Sequence, residues 1–88
     1  MSKAIRVGDV LEGTVTRCEP YGLFVTVDGT PGLINIPELS WERIGHPSEV
    51  ADVGDRVRFQ VLNLNDPHAR PHQHFNGSIK ILTPRSND

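Results

Sequence analysis

The chain has 88 residues, of which 36% are hydrophobic, 23% charged and 6% aromatic, with a formal net charge of -2. A chain of this length builds one core and hides roughly 60% of its unfolded surface, which argues against the deep, water-excluding cleft of most enzymes. No stretch approaches the ~20 apolar residues of a membrane-spanning helix, and the single cysteine, Cys18, excludes both an internal disulfide and Cys-x-x-Cys chemistry. The start runs directly into a strand pattern without an apolar targeting segment, so the expectation is a soluble, cytoplasmic protein in which Cys18 is a packing residue.

Eight glycines and seven prolines cut the sequence into short pieces. The first strand is expected over 7–18. Val10 and Val15 lie at an odd separation there, and Gly13 between them marks a bulge that would swap the parity. A second strand follows, with Leu23, Val25 and Val27 on one face and Phe24, Thr26 and Asp28 on the other. Residues 32–36 form a short third strand, in which Asn35 faces opposite to Ile34 and Ile36. Between 37 and 53 only two helical turns are expected, each opened by proline, at Pro37-Glu38-Leu39-Ser40 and Pro47-Ser48-Glu49-Val50. The fourth strand alternates Val57, Phe59 and Val61 with Arg56, Arg58 and Gln60. A fifth is expected over 74–82, with Phe75, Ile79 and Ile81 on one parity. Gly77 shares that parity, leaving the strand loosely packed or a neighbouring side chain close to its backbone. Val-Gly-Asp occurs at 7–9 and again at 53–55, before a strand each time, and is read as one turn chemistry used twice. Five short strands with a longer connection between the third and fourth give an all-β, five-stranded Greek-key barrel, the OB-fold, with short helical turns in that connection.

The sequence resembles the S1-type RNA-binding domain over about residues 5–82, so that 1–88 is read as a single domain with short polar tails. The resemblance is carried by Val7-Gly8-Asp9-Val10, Gly13-Thr14-Val15, Tyr21-Gly22-Leu23-Phe24-Val25, Gly32-Leu33-Ile34-Asn35-Ile36 with Glu38-Leu39, Pro47-Ser48-Glu49, Val53-Gly54-Asp55 and Ser78-Ile79-Lys80. It implies binding of single-stranded RNA on the side formed by strands two, three and five. Tyr21 and Phe24 match the family's paired aromatic positions, Asn35 stands where the family usually carries a histidine, and Lys80 matches the basic residue closing the last strand. His74 falls near the arginine that begins that strand in many members, and Arg17 and Arg58 would flank the surface. The residues themselves leave two readings of Phe24. A large aromatic on a polar parity beside basic residues is the mark of a stacking platform, and it is also what packs under a loop. Tyr21, between Pro20 and Gly22, is equally a turn-packing or a stacking ring.

The tract 63–74, with Pro67, Pro71, His68, His72 and His74, is longer and richer in proline than the family's usual Asp-rich hairpin. Imidazoles at this spacing invite a metal reading, but only Asp66 stands near to complete a site, and neither metal nor cofactor is expected. Protonation is the milder consequence. Imidazoles titrate near pH ~6.5, so RNA affinity is expected to rise on mild acidification. No motif assembles a nucleophile, base and orienter, so the chain is not read as an enzyme.

The expected function is a small, monomeric module in translation or RNA metabolism. It would hold a few nucleotides weakly by stacking and phosphate contacts, with the ribosome or another RNA-processing complex as context. The alternative is a barrel of this family used as a protein-interaction module on the ribosome, RNA polymerase or a nuclease. A metal- or pH-responsive regulator rests on the histidines alone. Net acidity is a weak objection to RNA: Glu38, Glu42, Glu49, Asp52 and Asp55 against Arg43 leave -4 in one connection, and the remaining eight bases and six acids give +2.

Overall fold

The computed structural model describes residues 4–66 and 68–82. Five strands, β1 (Val10–Glu19), β2 (Gly22–Val27), β3 (Thr30–Asn35), β4 (Arg56–Leu64) and β5 (Phe75–Ser78), close into a barrel in the order β1-β2-β3-β5-β4. All neighbours are antiparallel except β3 and β5, which run parallel. The connection from β3 to β4 contains the two 3₁₀ turns Ile36–Glu38 and Pro47–Glu49, each with proline at its start as the sequence led one to expect. The all-β barrel is therefore the observed fold. The polar tails, and Pro67 within the loop before β5, lie outside the described residues.

The interior is filled by alternation. Leu23 and Val25 of β2, Ile34 of β3, and Phe59 and Val61 of β4 are buried to within 1% exposure, and Val15, Leu39, Ala51 and Phe75 complete the cluster. At its centre the Phe59 and Phe75 rings stack, with centroids 5.5 Å apart and planes inclined by 10°. Glycines make room for them. A Cβ on Gly32 would collide with the Phe75 ring, and one on Gly77 would come within 2.6 Å of Phe59 Cδ2. The neighbour anticipated over Gly77 is thus the Phe59 ring.

Three expectations are corrected. Val10 and Val15 do lie on opposite faces, one 42% exposed and the other 1%, with regular β1–β4 pairing through Gly13. The parity of β1 changes later, between Val15 and Arg17, where its register against β2 shifts by one residue. Gly13 is a packing glycine, because a Cβ there would meet Thr26 O at 2.9 Å and Phe59 Cε1 at 3.2 Å. The first strand begins at Val10, since residues 7–9 form a turn. The fifth strand ends at Ser78, where the chain leaves the ladder: Ile79 N–H donates to Glu38 O at 3.0 Å and residues Lys80–Leu82 turn into a 3₁₀ helix, leaving Ile81 51% exposed.

The repeated tripeptide is one turn used twice. Gly8 and Gly54 both have φ of 94°. Asp9 accepts from Arg6 N–H and Asp55 from Asp52 N–H, each at 2.9 Å through Oδ2. The two glycine N–H groups donate, at 2.8 Å each, to the carbonyls of Val61 and Val15, tying the turns to opposite strands. The β2–β3 hairpin turns on Asp28-Gly29, whose positive φ values of 48° and 82° are those of the two-residue turn that suits the right-handed twist of paired strands.

Because an added methyl at Gly32 has no space except that of a buried ring, Gly32→Ala is expected to lower unfolding free energy by about 1–3 kcal/mol in denaturant titration. No measurable loss would show that the aromatic stack can shift.

Candidate nucleic-acid interface

The register shift in β1 decides what stands beside Phe24. Val15 pairs with Val25, and the next pair is Arg17 with Phe24, so Thr16 is the extra residue of a bulge. Its hydroxyl donates to Phe24 O at 3.3 Å. In an unbroken ladder Arg17 would oppose Leu23 and point into the core. The bulge turns it outward, and its guanidinium lies over the Phe24 ring with Cζ 5.6 Å from the centroid. The same guanidinium is held by Glu19, Nε to Oε2 at 2.8 Å, while the side chain stays 66% exposed. Tyr21, at the tip of the β1–β2 hairpin and 49% exposed, meets Phe24 edge to face at 6.0 Å.

These groups line an open cleft of about 420 Å³, whose remaining lining residues are Thr16, Pro31, His72 and Gln73. Phe24 is half-buried there, and its cross-strand partner Leu33 is 4% exposed although it lies outside the interior cluster. The outer face of β3 is thus covered beside the cleft, where the loop before β5 returns along the strand. His74 N–H donates to Pro31 O at 3.0 Å, and Asn65 N–H to His74 O at 2.9 Å.

The structure gathers Arg17, Tyr21 and Phe24 in the cleft, and places two further candidates at its borders. Asn35 is exposed opposite Gly22, next to Tyr21, whose carbonyl accepts from Ile36 N–H at 2.8 Å. His74 is half-buried, with its backbone engaged as above. Arg58 and Lys80 lie outside the cleft lining. Arg58 is exposed on β4 opposite Glu12, with β1 between it and β2. Lys80 sits with Nζ 4.6 Å from the centre of the Trp41 ring, which is 46% exposed. Sequence reasoning missed Thr16, Pro31, His72 and Gln73 as cleft residues. Thr16 had a signal, since Val15 and Cys18, both inward, stand an odd number of residues apart.

The histidines do not assemble a metal centre: among the described residues no group of three or more His, Cys, Asp or Glu side chains could hold an ion. Asp66 accepts from His68 N–H through Oδ1 at 2.9 Å and so caps its own turn. His46 is likewise structural, its Nδ1 accepting from Ser48 N–H at 3.1 Å. No helix of the described residues is long and apolar enough to cross a membrane.

A closed five-stranded barrel in the order β1-β2-β3-β5-β4 is the architecture of the OB-fold class, and here it carries an aromatic pair and a cation on its β1–β2 side. The model of the S1 RNA binding domain matches residues 4–71, and the chain belongs to that family. The small ribosomal subunit protein bS1 homolog of Bacillus cereus is 44% identical over 81 residues, covering 92% of this chain and 20% of that protein. The 4-hydroxy-3-methylbut-2-enyl diphosphate reductase of Clostridium acetobutylicum is 34% identical over 76 residues, covering 86% of this chain and 11% of the enzyme. The chain thus spans a fifth or less of the length of these relatives. Among solved structures, GSP13 from Bacillus subtilis superposes with a TM-score of 0.79 at 28% identity, covering 100% of this chain and 65% of that one.

Cys18 is half-buried beside the core, and its thiol donates to Ala51 O at 3.6 Å. Burial raises its pKa, the carboxylates of Asp52, Asp55 and Glu19 raise it further, and only a hydrogen bond from the Val53 backbone opposes them. A raised pKa leaves less thiolate at neutral pH. Alkylation of Cys18 by iodoacetamide near pH ~7.5 is therefore expected to run several-fold slower than that of free cysteine and to accelerate as pH rises past the usual thiol range. A rate equal to free cysteine would contradict the packing role.

Proposed function

We propose that this domain binds a few nucleotides of single-stranded RNA, stacking bases on Phe24 and Tyr21 and placing phosphate against Arg17. One observation carries the reading: a bulge sets a guanidinium over an outward-facing aromatic ring that a second, half-exposed ring meets edge to face. Rings with an accessible face bind any base, and a cation beside them favours the chain of phosphates that free aromatic ligands lack. Asn35 offers a carboxamide to a base edge next to Tyr21. Arg58 and Lys80 would add phosphate contacts on the flanks, and His74 would act through the backbone that it holds. The membership in the S1 family and the likeness to bS1 proteins support a role in translation, in the cytoplasm and in contact with the ribosome. On this reading the domain is a monomeric binding module without catalytic activity, and the match to a reductase concerns only 11% of that enzyme.

A second reading, a protein-interaction module on the ribosome, RNA polymerase or a nuclease, draws on the acidic connection 38–55 and on the half-exposed Trp41 within it. An NMR titration of the labelled domain with short single-stranded RNAs separates the two. Shifts centred on Tyr21, Phe24 and Arg17 are expected, with a salt slope of about -2 for roughly three phosphate contacts. Phe24→Ala should weaken binding by about fivefold or more. Silence at millimolar RNA would transfer the preference to a protein partner.

A further inference from the structure

We infer that Glu19 is a positioning residue of the cleft, which holds the Arg17 guanidinium over Phe24 in the free domain and yields it to a phosphate when RNA binds. The inference rests on the reading of the cleft as an RNA site, and it gives a role to a side chain that does not itself line the cleft. Beyond the β1 bulge the pairs are Arg17 with Phe24, Cys18 with Leu23 and Glu19 with Gly22. Arg17 and Glu19 therefore share the outward parity, with Cys18 packed against the core between them. The residue directly across from Glu19 is a glycine, which offers the carboxylate no side chain, and the carboxylate turns along its own strand to Arg17 instead.

The contact is of a kind that a ligand can exchange. Arg17 Nε donates to Glu19 Oε2 at 2.8 Å, while the guanidinium Cζ stands 5.6 Å from the centre of the Phe24 ring. That is close to the ~6 Å limit of a cation–π contact, so the guanidinium takes part of the space over the ring without closing it. A base stacking on Phe24 needs that space. Glu19 engages the Nε edge of the planar fork, and the Nη atoms carry the guanidinium's other N–H donors for a second acceptor. The Arg17 side chain is 66% exposed against 24% for Glu19, so an incoming phosphate meets the arginine before it meets the acid. An ion pair this open to water is weak, and a phosphate can displace it.

Such an exchange has a signature of definite sign. In the free domain the two charges cancel, so a phosphate meets an arginine that is already neutralised. Binding then trades one ion pair for another and leaves the Glu19 carboxylate beside the incoming charge. Both effects lower the affinity and flatten its salt dependence, because a phosphate gains less from a paired cation than from an unpaired one. Removing the carboxylate should therefore strengthen RNA binding. A carboxylate that only braced a needed arginine would act in the opposite direction, since its loss would let the arginine wander.

The test is fluorescence anisotropy with a labelled single-stranded RNA hexamer over a series of salt concentrations, with thermal unfolding as the fold control. It compares wild type, Glu19→Gln, Arg17→Gln, the double variant of these two and Phe24→Ala. Glu19→Gln is expected to bind about two- to fivefold tighter than wild type at low salt, with a salt slope steeper by about 0.7. In the Arg17→Gln background the same substitution should change little, because its effect runs through the arginine. Equal gains in both backgrounds would mean that Glu19 only repels RNA through space, and the inference is overturned. It is overturned equally if Glu19→Gln binds no tighter than wild type. The RNA reading survives either result when Phe24→Ala weakens binding, and if wild type binds no RNA, both fall.

Discussion

The stack of Phe59 on Phe75 is the constraint on which the barrel depends. Two large rings occupy an interior that five short strands would otherwise fill with aliphatic side chains, and they fit because β1, β3 and β5 each contribute a glycine, Gly13, Gly32 and Gly77, that faces a ring and brings no Cβ. The remaining inward positions, Val15, Leu23, Val25, Ile34 and Val61, are aliphatic and surround the pair. Removing a buried aromatic costs about 3–5 kcal/mol, and a domain of this kind has only about 5–15 kcal/mol in all. Three of the five aromatics are then left for other work: Tyr21 and Phe24 in the cleft and Trp41 under Lys80. The aromatic economy of a small domain thus divides between a closed inside and an open outside.

Alternation made β2 and β4 legible residue by residue, because both keep a strict period of two wherever they face the core. The proline-led turns and the repeated Val-Gly-Asp were legible for the same reason: their chemistry is local. What escaped was set by distant partners. Gly13 looked like a bulge because sequence cannot show the Phe59 ring that needs its space, and the true bulge at Thr16 is marked only by the odd spacing of Val15 and Cys18. β5 ends at Ser78 because Glu38, 41 residues away from Ile79, offers its carbonyl there. No periodicity encodes that.

The candidate site divides along the same line. Outward parity identified Phe24, Arg58 and Lys80 as surface residues, and the resemblance added Arg17, yet in a closed barrel "outward" covers the whole circumference. Which outward residues meet is decided by strand order and by bulges. Arg17 reaches Phe24 because one inserted residue turns it. Arg58 lies beyond β1, and Lys80 follows the chain past the end of β5 toward Trp41. His72 was singled out in the sequence for its chemistry, but its place in the cleft depends on hydrogen bonds from Asn65 and His74, to the loop's own backbone and to Pro31.

The distribution of acids explains why a net charge of -2 does not oppose an RNA partner. Several carboxylates are spent on the backbone. Glu49 accepts from Gly45 and His46 N–H at 2.7 and 2.8 Å, and Asp9 and Asp55 each close a turn. These acids are required by a fold rich in tight turns and poor in helices, where side chains must satisfy N–H groups that no ladder reaches. The carboxylate that bears on the cleft is Glu19, and it partly neutralises the cleft's own Arg17. Electrostatic attraction at this face is therefore modest by construction, and the cleft is shaped instead by two rings on one side and an anchored loop on the other.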